Sequence, residues 1–202
     1  VRIIGERHRV FNNYFEGLAG NSQRSAISLV RGVENSELFE YFQVKDAQVA
    51  FNTIVNCKSG ITANIGNSAS TMPVTDSRVT GNLIVNNAAG TPPEGVTVIT
   101  AYGPGIVWEA NHFHGVTVSG LTGGGVDDTG RFDLILDGGL YLLPADKAAL
   151  YGKIRGFAYV ATDIRGIARP QAKTPGANEP VGECTRTMPS PATTGATWQP
   201  TL

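Results

Sequence analysis

Cysteine, methionine and tryptophan each occur only twice among the 202 residues, and histidine three times. Cys57 and Cys184 lie far apart and do not define a redox compartment. Cys57 follows the apolar run Ile54-Val55 and reads as a small core residue, whereas Cys184 sits in a Pro/Thr-rich tail. A bridge between them is left open. Neither sign of charge dominates: 16 basic and 17 acidic residues give a net charge of −1. That balance gives no sign of a nucleic-acid or membrane-surface partner. No apolar run approaches the roughly 20 residues of a membrane-spanning helix. Helix signal is also scarce. Only Pro144–Leu150 looks helical, with proline in the first turn and good helix formers after it. The chain opens on Val1 with neither Met nor a signal segment, so we expect a processed or truncated start.

What is abundant is Gly, at 25 residues, with Val, Ile, Thr and Asn, a mixture suited to short strands broken by turns. Four segments resemble one another: 9–15, 48–54, 78–84 and 106–113. Each places an apolar residue three or four positions before an Asn and another two positions after it. The Asn residues are 13, 52, 82 and 111, and periods of this size signal a stacked repeat. One such repeat cannot bury its own apolar face, but stacked repeats can, with strands about 4.8 Å apart. The Asn sits at a turn, where its amide can bond the next coil and where it tolerates left-handed backbone. Four unrelated turns in a β-sandwich are the alternative reading.

Further strands are expected at 26–30, 61–65, 96–99, 132–136 and 157–160, and Val1–Ile4 is strand-like. Residues 122–130 read as a Gly/Asp-rich loop, and Gly103-Pro104-Gly105 as a turn. The expected architecture is all-β: a right-handed parallel β-helix over residues 1–179, lacking N-terminal coils and a cap, with a Pro/Thr-rich tail over 180–202. Because a solenoid end exposes unpaired strand edges, another chain covering the open first coil is an expected partner.

Residues 5–18 (Gly-Glu-Arg-His-Arg-Val-Phe-Asn-Asn-Tyr-Phe-Glu-Gly-Leu) resemble polysaccharide lyase family six, which contains alginate lyases and chondroitinase B. The likeness continues through 23–27, 41–47 and 52–57, and residues 162–170 with 176–179 resemble the closing segment of many β-helices. The resemblance implies β-elimination on an acidic, uronate-containing polysaccharide, alginate first and dermatan or chondroitin sulfate second. It also implies a secreted or periplasmic enzyme. In the family a Lys is the base, an Arg the acid, and calcium neutralises the uronate carboxylate. The resemblance places all three upstream of the Gly5–His8 segment, so this chain is expected to lack catalytic residues and calcium ligands and to be inactive alone. Arg2 and Arg24 match substrate-binding arginines, in keeping with the affinity of guanidinium forks for carboxylates. The alternative for either is an ordinary solvated arginine. His8, between Arg7 and Arg9, can contact sugar or hold a turn.

Other candidates have plain structural readings beside them. His112 and His114 share a strand face and could begin a metal pair, or simply face solvent. Glu34, Glu37 and Glu40, and Asp127-Asp128, could attract calcium or be scattered surface carboxylates. Tyr14 and Tyr41 could stack on sugars or sit in the core. A non-catalytic carbohydrate-binding β-helix and a purely structural one, such as a phage tail or adhesin segment, remain competing functions.

Overall fold

The computed structural model describes residues 1–86, 97–121, 126–128, 134–137, 141–144 and 150–180. Strands of two to seven residues alternate with tight turns and stack into parallel coils. The first coil comprises β1 (Arg2–Ile3), β2 (Arg9–Phe11) and β3 (Tyr14–Glu16). The second comprises β4 (Ile27–Val30), β5 (Gln48–Ala50) and β6 (Thr53–Val55), and the third β7 (Ser59–Ile65), β8 (Ser77–Thr80) and β9 (Leu83–Val85). The fourth comprises β10 (Thr97–Ala101), β11 (Ile106–Glu109) and β12 (Asn111–His114). A fifth begins with β13 (Val116–Ser119) and β14 (Val126–Asp128). Three parallel sheets result, ordered β1-β4-β7-β10-β13, β2-β5-β8-β11 and β3-β6-β9-β12-β14. The fold is the parallel β-helix expected from the repeats. β15 (Leu134–Asp137) and β16 (Tyr141–Pro144) instead pair antiparallel.

Alternation along each strand sends one apolar column per sheet inward. The columns are Ile3-Leu29-Ala63-Ala101, Val10-Val49-Val79-Trp108 and Phe15-Ile54-Ile84-Phe113. Their meeting point is the main core. A fully buried side chain of this kind contributes about 1.5–3 kcal/mol, so the stacked columns, rather than any single polar contact, dominate the stability of the coils.

The Asn residues form a continuous ladder between the second and third sheets. Asn13 Nδ2 donates to Asn52 Oδ1 at 2.9 Å, Asn52 Nδ2 to Asn82 Oδ1 at 2.9 Å, and Asn82 Nδ2 to Asn111 Oδ1 at 2.8 Å. Each Oδ1 also accepts the backbone N–H of the preceding ladder Asn, at 3.0–3.1 Å. A backbone donor cannot be flipped, so it fixes which amide atom is oxygen. The left-handed residue of each turn is not the Asn but the one before it: Asn12, Phe51, Gly81 and Ala110, at φ 55°, 54°, 64° and 48°. This corrects the expectation from sequence. The ladder Asn was needed for its amide, and its neighbour absorbs the backbone cost. At Gly81 an added Cβ would lie 2.5 Å from Ile154 Cδ1, so glycine there answers to packing as well as to φ.

Leu150–Pro180 forms an irregular segment packed back onto the early coils. Gly176 N donates to Gly81 O at 2.8 Å and Ala177 N to Thr53 Oγ1 at 2.9 Å. Tyr159 Oη donates to Gln48 Oε1 at 2.6 Å, and Phe157 meets Phe51 edge-on with centroids 5.4 Å apart. Residues 157–160 are therefore turn rather than strand, because their aromatic rings pack sideways onto the coils. Residues 126–128, expected in a loop, pair with β12. Most of the expected helix at 144–150, the glycines 123–125, Cys184 and the tail beyond Pro180 lie outside the described residues. Cys57 is buried, and its thiol donates to Val55 O at 3.5 Å.

Candidate functional site

The chain leaves β3 through Gly17 and lays a short 3-10 turn, Ser22–Arg24, over the outer face of the first sheet. Ser22 O accepts from Ser28 Oγ at 3.2 Å and Thr62 Oγ1 at 3.0 Å, which pins the turn to two successive strands. Ser25 Oγ lies 2.7 Å from Ser59 Oγ. The turn needs Gly20, where a Cβ would fall 2.0 Å from Arg24 O.

Arg2 points outward from β1 while its neighbour Ile3 enters the core. Its Nε and Nη2 both donate to Gln23 O at 3.3 Å, and Nη1 donates to Tyr41 Oη at 3.0 Å. Arg2 thus reaches the residue before Arg24, and both arginines are exposed along this edge. Among the described residues no carboxylate pairs with either. Neutral oxygens orient the Arg2 fork without cancelling its charge. Beside Tyr41 an open groove of about 630 Å³ is lined by Gly5, Glu6, Val33, Asn35, Phe42 and Gln43, among others.

His8 turns back into its own loop, with Nε2 2.7 Å from Ile4 O, which is the turn-holding arrangement. Tyr14 and Tyr41 are not core residues. Phe15, not Tyr14, packs inward, and Tyr14 Oη donates to Glu16 Oε2 at 3.0 Å. Sequence reading missed Tyr41 as a brace for Arg2, because 39 residues separate them and only coil stacking unites them. Glu34, Glu37 and Glu40 are exposed on the loop after β4. His112 stands in register with Asp127 of the next coil. Among the described residues no three His, Cys, Asp or Glu side chains gather to hold a metal. No helix of the described residues is long and apolar enough to cross a membrane.

The family model for chondroitinase B matches residues 1–91. The structure of the polysaccharide lyase family six alginate lyase AlyGC is similar to this chain at 27% identity and a TM-score of 0.59, over 72% of this chain and 19% of that one. A mutant structure of the same enzyme, at 22% identity and a TM-score of 0.61, covers 100% of this chain and 23% of that one, and supports the fold alone. The chain spans about a fifth of the length of these lyase structures. Curated proteins provide no match. Residues 1–91 are thus similar to the chondroitinase B family model, and the chain as a whole resembles the fold of the family six alginate lyase structures.

Proposed function

We propose that this chain forms part of the substrate wall of a lyase that cleaves an acidic polysaccharide by β-elimination. Alginate is the first expected substrate and dermatan or chondroitin sulfate the second. The observation that carries the reading is the braced, unpaired guanidinium of Arg2 beside Arg24, within the segment that matches the family. A uronate carboxylate would accept from these forks, and Tyr41 and Gln23 O hold Arg2 ready for it. Arg2 and Arg24 are substrate-binding residues in this reading, and His8 supports them by shaping the Gly5 turn. The base, the acid and calcium act from coils outside these 202 residues. Coils bearing them, in the same or another chain, would stack on the open edges of β1, β2 and β3. Because the substrate is a polymer, the enzyme works outside the cytoplasm.

Binding of the chain to alginate, measured by calorimetry at low salt, tests this. Arg2→Ala and Arg24→Ala should each weaken binding roughly two- to fivefold, as an exposed ion pair of about 0.5–1 kcal/mol would. A neutral glucan should not bind. Equal affinity for the variants, or equal binding of the neutral polymer, would sink the reading. The chain alone should release no unsaturated product detectable by ultraviolet absorbance.

A further inference from the structure

Leu150–Pro180 buries five charged side chains, and they do not balance. Asp163, Arg165, Arg169, Lys173 and Glu179 are between 1% and 8% exposed. Arg165 Nε pairs with Asp163 Oδ2 at 3.1 Å, and Arg169 Nη1 with Glu179 Oε1 at 2.6 Å. Asp163 also accepts the backbone N–H groups of Arg165, Ile167 and Glu179, and Glu179 that of Thr174. Both carboxylates are thus committed. Lys173 is the third cation. Among the described residues its ammonium donates to one neutral oxygen, Gly156 O at 3.2 Å, which leaves two donors for a ligand. The backbone of Lys173 is held on both sides by Ile154, at 2.7 and 3.0 Å, which fixes where its side chain starts.

Lys173 lines an open pocket of about 410 Å³ together with Gly156, Ala158, Val160, Arg169 and Gln171. Among the described residues two cations and no carboxylate line it. Arg169 adds a buried Nε with no partner of its own. A buried ammonium without a counter-charge is costly, and the usual remedies are deprotonation or an anion. Burial, and then the Arg169 guanidinium, lower the affinity of Lys173 for its proton, and the Glu179 carboxylate offsets them only in part. The volume is within the range of small-ligand pockets.

We propose that this pocket is an anion site in which Lys173, beside Arg169, takes a small oxyanion from solution. The shared chemistry is an oxygen-rich anion accepting from the Lys173 ammonium. A sugar carboxylate and an inorganic phosphate or sulfate are its two sources. The site is separate from Arg2 and Arg24 and does not rest on the lyase reading.

Thermal unfolding of the full chain, with added phosphate, sulfate or glucuronate at constant ionic strength and chloride as reference, tests the proposal. At least one oxyanion should raise the Tm above the chloride reference. Lys173→Met, which keeps the apolar stem, should lose nine-tenths of that rise. Arg155→Met, at an exposed neighbour, should keep it. A response to glucuronate alone identifies the sugar carboxylate as the source, and equal responses identify inorganic oxyanions. The proposal is overturned if no oxyanion exceeds chloride, or if Lys173→Met responds as the unmodified chain does. Should Lys173→Met not fold, NMR of the Lys173 ε-carbon decides. Saturating oxyanion should raise its pKa, and an unchanged titration would refute the site.

Discussion

Arg169 Nη2 donates to Asn12 Oδ1 at 2.9 Å and so ties the first coil to a residue 157 positions later. Asn12 answers through Nδ2, which donates to Thr162 O at 2.5 Å. The same Asn12 carries the left-handed backbone of the first coil, at φ 55°. One side chain therefore serves a turn of the solenoid and the segment that folds back upon it.

Replacing Asn12 by Ala should remove both bonds, one of them to a charged group, and leave Ala in left-handed backbone. The expected loss is about 2–4 kcal/mol. Urea unfolding should show it, and limited proteolysis should cut first within 150–180, since that segment loses its anchor to the first coil.

The ladder makes a graded prediction. Asn82 is fully buried, and its Oδ1 serves two donors of Asn52 while its Nδ2 faces Asn111 Oδ1, Val49 O and Thr80 O. Asn82→Ala strands several buried polar groups and should cost about 3 kcal/mol or more. Asn13→Ala, at the partly exposed end, should cost about 1 kcal/mol. Equal losses from chemical denaturation would show that the inner and outer amides contribute alike, contrary to this geometry.

Stability should fall in alkaline solution. Burial raises the pKa of Cys57, Tyr14 and Tyr159 above their ordinary values of 9.0, 10.0 and 10.0. A group whose folded pKa is raised stabilises fully below its unfolded pKa, and that contribution is lost as pH climbs towards the folded value. The decline should therefore begin near pH 9 and steepen above pH 10. Lys173, lowered from 10.5, has the opposite sign and offsets part of it. Denaturant midpoints measured from pH 7 to 11 should follow this course, and Tyr159→Phe should flatten the upper limb. A midpoint unchanged to pH 11 would contradict it.

The coils were legible because their period is carried by local pattern: an apolar residue, a turn, an Asn, an apolar residue. That pattern placed β2, β3, β5, β6, β8, β9, β11 and β12 and the ladder between them. What escaped were relations with no local signal. Phe157–Val160 has strand-like composition, yet its rings are claimed by Phe51 and Phe11 of distant coils. Asp163, Arg165, Arg169 and Glu179 read as ordinary surface charges until folding buries them together. The family likeness pointed to Arg2, but its brace on Tyr41 depends on a loop whose path the residues alone do not dictate.

The four ladder amides all face the same way. Asn13, Asn52 and Asn82 each hand a hydrogen to the later coil, and Asn52, Asn82 and Asn111 each present an oxygen to the earlier one. Aligned dipoles of this kind reinforce one another, each bond polarising the next. The stack therefore has an electrical polarity along its axis, with its negative end at Asn13. A parallel sheet, whose carbonyls alternate up and down each strand, contributes little such direction. A row of turn residues thus gives the solenoid a head and a tail that its strands do not distinguish.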